Sequence, residues 1–462
     1  PPPPPAAIPS SSSVEYLKNW GVGDSQGSKA ITAWQNGATG QGITVAVIDT
    51  GIDATHPELA GRVSPNSTDI VSGRNQLFDS TDVHGSEVAD VIAGNFNNSS
   101  TVGMAYNSTI LAIRADDGTG SFFLTDLSNA INYAVAQHVD IINLSLGGSG
   151  NTLQFRNAIS AATAAGIIVV ASAGNAGIQG DGTPPGPAET EVEYPAFYTT
   201  NSAISHNLIV AAGGDNSDGT FNANSNPAGQ AQNFYLVAPG WQIIVPDFGP
   251  LGAETGEICF VDQTCRTQGT SYSAPNISGA LALLKSAFPG LTPAQLVQLI
   301  LISADDMGAP GVDPVTGHGR LNLTTAFSSI GLVRAPLPGA AGELVENDTI
   351  GVVGAAFGDA FAQRDRWAAI GFDDFGRSFR MSLAPSWHSL SRATIADEGA
   401  PRLWRHVSTD RGEVQFAAAD VAPPRAARMM IDPDETPFVR GEASVLPRLR
   451  VAFSSNAPIE ID

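Results

Sequence analysis

Three distant segments of this sequence offer an acid, an imidazole and a hydroxyl, each at the edge of an apolar run. Asp49 ends VAVID, His84 opens HGSEVADVIAG, and Ser271 stands at the polar start of GTSYSAPNISGALALL. A serine hydroxyl is a weak nucleophile that needs a base, and imidazole has a suitable pKa for that task. A buried carboxylate then orients the imidazole. The three segments therefore predict nucleophilic acyl-transfer chemistry if the fold brings them together.

Each of these residues also has an ordinary structural interpretation. Asp49 suits a turn, His84 suits a hydrogen-bonded position at a helix start, and Ser271 suits a helix cap. Taken together they favour chemistry, because Asp, His and Ser follow one another in the chain order of a known catalytic triad.

A fourth segment, ASAGNAG, places Asn175 among small residues after a strand-like run. A fixed amide group there can donate to the negative oxygen that forms during acyl transfer, together with the backbone N–H of Ser271. An asparagine that tolerates a left-handed turn is the alternative on this segment alone. We expect Asn175 to belong to an oxyanion hole.

The elements that must position these side chains are indicated by the hydrophobic pattern of the first 330 residues. Short β-branched runs without alternation suit strands that are buried on both faces of a parallel sheet. Catalytic groups collect at the carboxyl ends of such strands. We predict an α/β fold with a mostly parallel central sheet and helices on both faces. The predicted strands are 43–48, 110–114, 139–144, 167–171 and 208–212, and the predicted helices are 25–35, 85–93, 125–137, 153–165, 271–288 and 293–303.

Charge is distributed unevenly along the 462 residues. The net charge of −22 argues against nucleic acid and anionic membranes as partners. Residues 1–330 hold 9 basic and 27 acidic residues, whereas 331–462 hold 14 arginines, no lysine and 18 acidic residues. We therefore predict a Pro/Ser-rich linker over 1–13, a main domain over 14–330 and a C-terminal accessory or linker region of mixed or β character over 331–462. The absence of an apolar run of 18 residues predicts no transmembrane segment.

The two cysteines, Cys259 and Cys265, are six positions apart in a loop predicted over 246–268. A short disulfide loop is favoured and would indicate an oxidising compartment, with two reduced surface thiols as the alternative. A second surface insertion is predicted over 180–187, which is rich in Pro and Gly.

The sequence resembles the subtilisin-like serine proteases, or subtilases, over about residues 14–330. The matching segments are VAVIDTGID, HGSEVADVIAG, INLSLGG, ASAGNAG and GTSYSAPNISGALALL, in the order of the family. The resemblance implies a serine endopeptidase with Asp49, His84 and Ser271 as its triad and Asn175 in its oxyanion hole. It implies no cofactor for the chemistry.

The resemblance also implies a groove in which a protein or peptide substrate binds in extended form, beside an edge strand to which it adds. Tyr194-Pro195-Ala196 resembles a turn of the family in which the X–Pro bond is often cis. The preceding Glu193 would lie near the floor of the primary specificity pocket and favour a basic P1 side chain; a solvent-facing Glu193 is the alternative. The groove residues so implied are Ser145, Leu146, Gly147 and Gly148 on one side and Gly120, Ser121 and Phe122 on the edge strand.

Two residues depart from the family pattern HGTHVAG, which is HGSEVAD here. Glu87 stands for a second histidine and Asp90 for a glycine. The loop FNNSSTVG that follows could hold a structural Ca²⁺ through Glu58, Asn97 and backbone carbonyls, because this ion prefers oxygen ligands. A polar loop without a metal is the alternative.

The segment 351–379 is similar to the region after the protease domain in bacterial autotransporter subtilases. This suggests the passenger of such a protein, while an accessory module, an interaction domain and a pro-segment remain open. We expect a protein that is secreted or displayed on the bacterial cell surface. A non-catalytic binding protein of the same fold, and an esterase or transacylase with the same triad, are the alternative functions.

Overall fold

The computed structural model describes residues 8–177, 189–249, 258–331, 333, 349–354, 368–382, 387–390, 403–409, 412–418, 427–430 and 448–452. The chain divides into two compact units, Pro1–Ser328 and Ser329–Asp462. The predicted insertion 180–187 lies outside the described residues, as do the first seven residues of the predicted linker.

The first unit alternates strands and helices. Its strands are β1 (Thr44–Asp49), β2 (Thr68–Asp69), β3 (Thr109–Arg114), β4 (Ile141–Leu144), β5 (Ile168–Ser172), β6 (Ile209–Asp215), β7 (Tyr235–Pro239), β8 (Trp241–Pro246), β9 (Ile258–Cys259) and β10 (Thr264–Gln268). Its α-helices are α1 (Val14–Lys18), α2 (Ala30–Gln35), α3 (His84–Ala93), α4 (Leu124–Ala136), α5 (Leu153–Ala164), α6 (Ser202–Ser205), α7 (Thr270–Ala287), α8 (Pro293–Ile302) and α9 (Leu323–Ala326).

Seven strands form a parallel sheet in the order β2-β3-β1-β4-β5-β6-β7. The predicted α/β fold is confirmed, and the five predicted strands and six predicted helices all occur. Strands β1 and β4 to β7 are buried along almost their whole length, as expected for a parallel sheet that helices flank. Helices α4 and α5 contribute Leu127, Ile131, Phe155 and Ile159 to the core beside the sheet.

Capping explains why α8 begins where the sequence predicts. The Thr292 hydroxyl accepts a hydrogen bond from the Gln295 N–H, and the Gln295 side chain accepts one from the Thr292 N–H. This reciprocal pair satisfies two N–H groups at the helix start, and Pro293 at the first turn needs no partner.

The predicted insertion 246–268 is more regular than the sequence indicates. Within it, β10 pairs antiparallel with both β8 and β9, which gives a small three-stranded sheet. Cys259 and Cys265 are directly opposed in this sheet and form a disulfide, so the predicted bond is confirmed. The sequence pattern does not reveal β9 and β10, because they are only two and five residues long and lie in a turn-rich segment.

The second unit consists of short strands where it is described. They form three small sheets in the orders β14-β11-β17, β12-β13 and β15-β16-β18, of which the first is parallel and the other two antiparallel. The predicted mixed or β character is confirmed. No helix among the described residues is long and apolar enough to cross a bilayer. The strands are β11 (Thr349–Gly354), β12 (Ala368–Phe372), β13 (Ser378–Ser382), β14 (Trp387–Leu390), β15 (Leu403–Thr409), β16 (Gly412–Ala418), β17 (Ala427–Met430) and β18 (Arg448–Ala452).

Candidate active site

Asp49 and His84 meet where the central strand β1 ends and α3 begins. The Asp49 Oδ1 atom lies 2.8 Å from His84 Nδ1 and also accepts the Thr50 N–H at 2.8 Å. The carboxylate side chain is 1% exposed and the imidazole is 23% exposed. A buried carboxylate on Nδ1 fixes the ring orientation and leaves Nε2 available for proton transfer.

A glycine after His84 allows α3 to start this close to the sheet. A Cβ atom on Gly85 would lie 2.4 Å from the Gly51 carbonyl oxygen and 3.1 Å from Asp49 Cβ. The Gly85 N–H, which has no partner within the helix, donates to Thr50 Oγ1 at 3.1 Å. The turn Asp49-Thr50-Gly51 therefore contains the acid and also contacts the start of the helix that carries the imidazole.

Ser271 is the second residue of α7, and a proline in this helix gives its backbone an unusual partner. Pro275 has no N–H to donate to the carbonyl four residues earlier, which is that of Ser271. The Ser145 hydroxyl donates to this carbonyl at 2.6 Å, and the Ser271 hydroxyl donates to the Ser145 carbonyl at 3.2 Å. Ser145, predicted as a groove residue, thus fixes the position of Ser271.

The next residue, Tyr272, connects Ser271 with His84. Its ring lies edge-on to the imidazole, with 5.8 Å between the ring centroids. The structure therefore brings Asp49 into contact with His84 and places His84 against the neighbour of Ser271.

Asn175 is oriented by the residue just before Ser271. Its Oδ1 accepts hydrogen bonds from both the N–H and the hydroxyl of Thr270, each at 2.9 Å. The carbonyl side of the amide is thereby engaged, which leaves Nδ2 as the group available to an incoming oxygen. Nothing in the sequence distinguishes Thr270 as a partner of Asn175 beyond its place next to Ser271.

A cavity of about 300 Å³ lies beside Ser271 and contains several of the predicted residues. Leu146 and Gly147, two of the predicted groove residues, line it, whereas both backbone groups of Gly148 pair with Tyr194 at 3.1 Å. The Tyr194–Pro195 bond is cis, as the family turn suggested. The full lining is Leu146, Gly147, Ser172, Gly174, Asn175, Ala176, Glu193 and Ser271.

Glu193 enters this cavity between two glycines. A Cβ atom on Gly147 would lie 2.4 Å from Glu193 Oε2, and one on Gly174 would lie 2.9 Å from its Cδ. Burial, and secondarily the negative charge of Glu189, raise the pKa of the Glu193 carboxyl. A half-buried carboxylate of this kind is stabilised by a cationic ligand.

The predicted edge segment does not line the cavity and is not a regular strand. Phe122 forms an isolated antiparallel bridge with Asp116, and the Ser121 carbonyl accepts the Asp117 N–H at 2.7 Å. Gly120 borders the Asp82 carboxylate, since a Cβ there would lie 2.9 Å from Asp82 Oδ2. Asp82 was not singled out from the sequence, although it lies only two residues before His84.

Comparison with protein-family models matches residues 40–319 to the Subtilase family. The chain belongs to the subtilase family.

Curated relatives agree with this assignment. The chain is 34% identical over 267 residues to the major intracellular serine protease of Bacillus subtilis, a match that covers 56% of this chain and 73% of that protein. It is 31% identical over 314 residues to subtilisin E of Bacillus subtilis, with coverage of 68% and 72% respectively. It is also 31% identical over 300 residues to the subtilisin of Bacillus pumilus, with coverage of 64% and 95%. This subtilase is a serine endopeptidase.

The loop considered for calcium in this subtilase is arranged around carboxylates that already have N–H donors. Glu58 accepts the Ser100 N–H at 3.1 Å and the Asn97 side-chain amide at 3.1 Å. Glu15 Oε1 accepts the backbone N–H groups of Asn97 and Asn98 at 2.8 and 2.7 Å. A cation needs oxygen atoms facing it, and these N–H groups take up Oε1 of Glu15 and both oxygens of Glu58. The buried Glu15 Oε2 has no hydrogen-bond partner among the described residues, so the calcium site stays a prediction.

Glu15 supplies a negative charge around which the loop folds. Its side chain is fully buried, and Glu58 beside it is 1% exposed. Burial, opposed by hydrogen bonds and reinforced by Glu15, raises the pKa of Glu58. Asp90, the second departure from the family pattern, accepts the Thr101 hydroxyl at 2.9 Å, and its burial raises its pKa well above the usual range.

We expect Glu15→Gln to destabilise this subtilase by about 1.5–3 kcal/mol, because hydrogen bonds to a charged group are lost or weakened. Thermal unfolding of the variant and of the wild type, each with and without EDTA, measures this. Chelation should leave the wild-type melting temperature unchanged. If EDTA lowers it as much as the substitution does, the loop depends on a metal rather than on Glu15.

Proposed function

We propose that this subtilase hydrolyses peptide bonds through a triad of Asp49, His84 and Ser271. The observation that carries the proposal is the 2.8 Å contact between the buried Asp49 carboxylate and His84 Nδ1, beside the helix start that presents Ser271. A carboxylate in this place keeps the imidazole in the tautomer whose Nε2 can accept a proton.

In the first half-reaction the Ser271 hydroxyl turns from the Ser145 carbonyl to His84 Nε2 and transfers its proton there. Oγ bonds to the substrate carbonyl carbon, and the displaced electron pair forms an oxyanion. Asn175 Nδ2 and the Ser271 N–H donate to that oxygen. The C–N bond then breaks, and His84 returns the proton to the leaving amine.

In the second half-reaction water replaces the amine. His84 takes a proton from the water as its oxygen attacks the acyl carbon, and the ester bond to Oγ breaks. Ser271 recovers its proton from His84, so the enzyme is regenerated and one water molecule has been consumed in cleaving the peptide bond.

We further propose that the substrate is a protein or peptide bound in extended form with its P1 side chain in the cavity beside Ser271. Glu193 supports a basic P1 residue, because the carboxylate is half-buried and forms no ion pair within the described part of the chain. A lysine or arginine would supply the missing positive charge.

We propose that the protein acts outside the cytoplasm, in solution or at the bacterial surface. The Cys259–Cys265 disulfide supports this, since such bonds persist in oxidising compartments. The relative named as intracellular shows that the family also contains cytoplasmic enzymes.

A fluorophosphonate probe tests the proposed function directly, because it bonds only to an activated serine. We expect stoichiometric labelling of the wild-type protein, with the adduct on Ser271 by peptide mass spectrometry. Labelling culture medium and cell lysate separately locates the active enzyme. A folded wild-type protein that resists the probe would identify a binding protein without catalytic activity.

A further inference from the structure

Glu87 and Tyr272 form a buried contact between the two helices that carry His84 and Ser271. The Tyr272 hydroxyl donates a hydrogen bond to the Glu87 carboxylate. Glu87 has no exposed surface, and Tyr272 is 3% exposed. Glu87 lies three residues after His84 in α3, and Tyr272 directly follows Ser271 in α7. The contact therefore links the helix that carries the base to the helix that carries the nucleophile.

The Tyr272 ring is fixed on both of its sides. On one side it meets the His84 imidazole edge-on, at 5.8 Å and an interplanar angle of 66°. On the other it packs in a small core with Val91, Ile243 and Val245. Because the ring cannot move without opening that core, it restricts the plane of the imidazole.

Glu87 places a second acid one helical turn after His84 in α3. Residues three apart on a helix are neighbours with Cβ atoms about 5–6 Å apart, so Glu87 lies on the same face of α3 as His84. Because Glu87 is fully buried, a negative charge on it would be weakly screened and would favour the protonated imidazole.

Other charged groups lie on the elements around His84. Asp49 lies on β1, and Asp82 accepts the His84 N–H at 3.4 Å from the preceding loop. Arg114 on β3 is paired in register with Asp49, and its guanidinium is held by Asp116 at 2.7 Å. None of these groups is altered by changes at Glu87 or Tyr272, so the contribution of the pair can be measured separately.

We propose that Glu87 and Tyr272 are positioning residues of the triad, in which the hydroxyl holds the carboxylate and the carboxylate stabilises the protonated form of His84. This inference rests on the proposed function, since it assumes that His84 is the general base. Neither residue touches the substrate, so both act through the imidazole.

The decisive variant is Glu87→Gln, which keeps the shape and the acceptor for Tyr272 but removes the charge. We expect the acidic limb of the kcat/KM profile to move about one pH unit lower, because the protonated imidazole loses stabilisation and its pKa falls. KM should stay nearly constant. Tyr272→Phe should shift the limb in the same direction, and the double variant should shift it no further than the larger single effect.

Tyr198→Phe is the matched control, because it removes another largely buried tyrosine hydroxyl, one that donates to Asn151 at 2.8 Å. It should leave the acidic limb in place even if stability falls. An unchanged limb in both Glu87→Gln and Tyr272→Phe, with only a lower melting temperature, would overturn the inference and leave a purely structural contact. Should Glu87→Gln fail to fold, Tyr272→Phe decides.

An NMR titration of the His84 ring in the Ser271→Ala background separates this inference from the proposed function. We expect the His84 pKa to fall when Glu87→Gln is added. If that shift occurs while the wild-type protein hydrolyses no peptide, the proposed function fails and the electrostatic coupling stands. If peptides are hydrolysed and the pKa is unchanged, the coupling fails alone.

Discussion

Ser271→Ala is expected to remove nearly all peptide hydrolysis by this subtilase while the fold remains intact. The variant lacks the oxygen that forms the acyl-enzyme, so only binding and the oxyanion donors remain. The corresponding loss in kcat for a subtilisin is about 10⁶, and we carry that magnitude over from the family. Initial rates on casein and on a fluorogenic peptide measure the effect.

The fold should survive because the Ser271 side chain makes one modest contact. Its hydroxyl donates to the Ser145 carbonyl at 3.2 Å, whereas the shorter bond, from the Ser145 hydroxyl to the Ser271 carbonyl, uses the backbone and persists in alanine. Circular dichroism and thermal unfolding should therefore match the wild type closely. Equal activity in the variant and the wild type would refute the assignment of Ser271.

Two further variants make this test specific. Ser286→Ala removes a hydroxyl from the same helix, one that donates to the Leu283 carbonyl and accepts the Gly40 N–H at 3.3 Å, and should keep full activity. Adding His84→Ala to Ser271→Ala should cause little further loss, because base and nucleophile act as a unit. A further large loss in the double variant would mean that His84 acts in a step that does not involve Ser271.

Most of the sheet could be predicted because its strands are short apolar runs with no alternation. The two edge strands were not predicted: β2 is only two residues long, and β7, YLVAP, ends in proline and follows a polar segment. Strand β7 joins the sheet by pairing with β6, and tertiary contacts rather than the local sequence pattern decide this pairing. The same limit applies to β9 and β10, which pair with each other, while β10 also pairs with β8.

The sequence indicated the candidate catalytic residues better than it indicated the residues that orient them. Asp49, His84, Ser271 and Asn175 stand in recognisable segments, whereas the partners that orient them are distant in the chain. Thr270 reaches Asn175 across 95 residues. Such contacts cannot be read from spacing.

One supporting contact did leave a signal in the sequence. A proline within the apolar helix of GTSYSAPNISGALALL removes the N–H that would pair with the Ser271 carbonyl. The sequence thus indicates that the Ser271 carbonyl needs another hydrogen-bond donor, but it does not indicate that this donor is Ser145. By contrast, nothing near Glu15 indicated that it would hold a loop more than 80 residues away.

The second large effect that we expect concerns substrate choice, through Glu193. Peptides that differ only at P1 should be cleaved faster with arginine or lysine than with phenylalanine or leucine. Glu193→Gln should lower kcat/KM for the arginine peptide about 10²-fold, the loss associated with a charge-assisted hydrogen bond in a partly buried site. The phenylalanine peptide should change little, since it has no charge to pair.

Glu191→Gln provides a matched control two residues away. Its carboxylate accepts the Gln230 N–H at 2.8 Å and the Gln230 side-chain amide at 3.0 Å, and it does not line the cavity. This change should leave the ratio of arginine to phenylalanine cleavage as it is in the wild type. Equal shifts in both variants would point to the general acidity of the surface instead of the pocket.

The pH dependence of this preference gives an independent check on where the charge lies. Burial raises the pKa of Glu193, so its carboxylate becomes protonated at a higher pH than an ordinary glutamate when the solution is acidified. The preference for arginine over phenylalanine should therefore be full above that pKa and decline as the pH falls through it. Because both peptides use the same His84, taking the ratio of their kcat/KM values cancels the titration of the base. A ratio that stays constant down to the pH at which activity is lost, or a wild-type preference for phenylalanine or leucine, would place the Glu193 charge outside the P1 pocket.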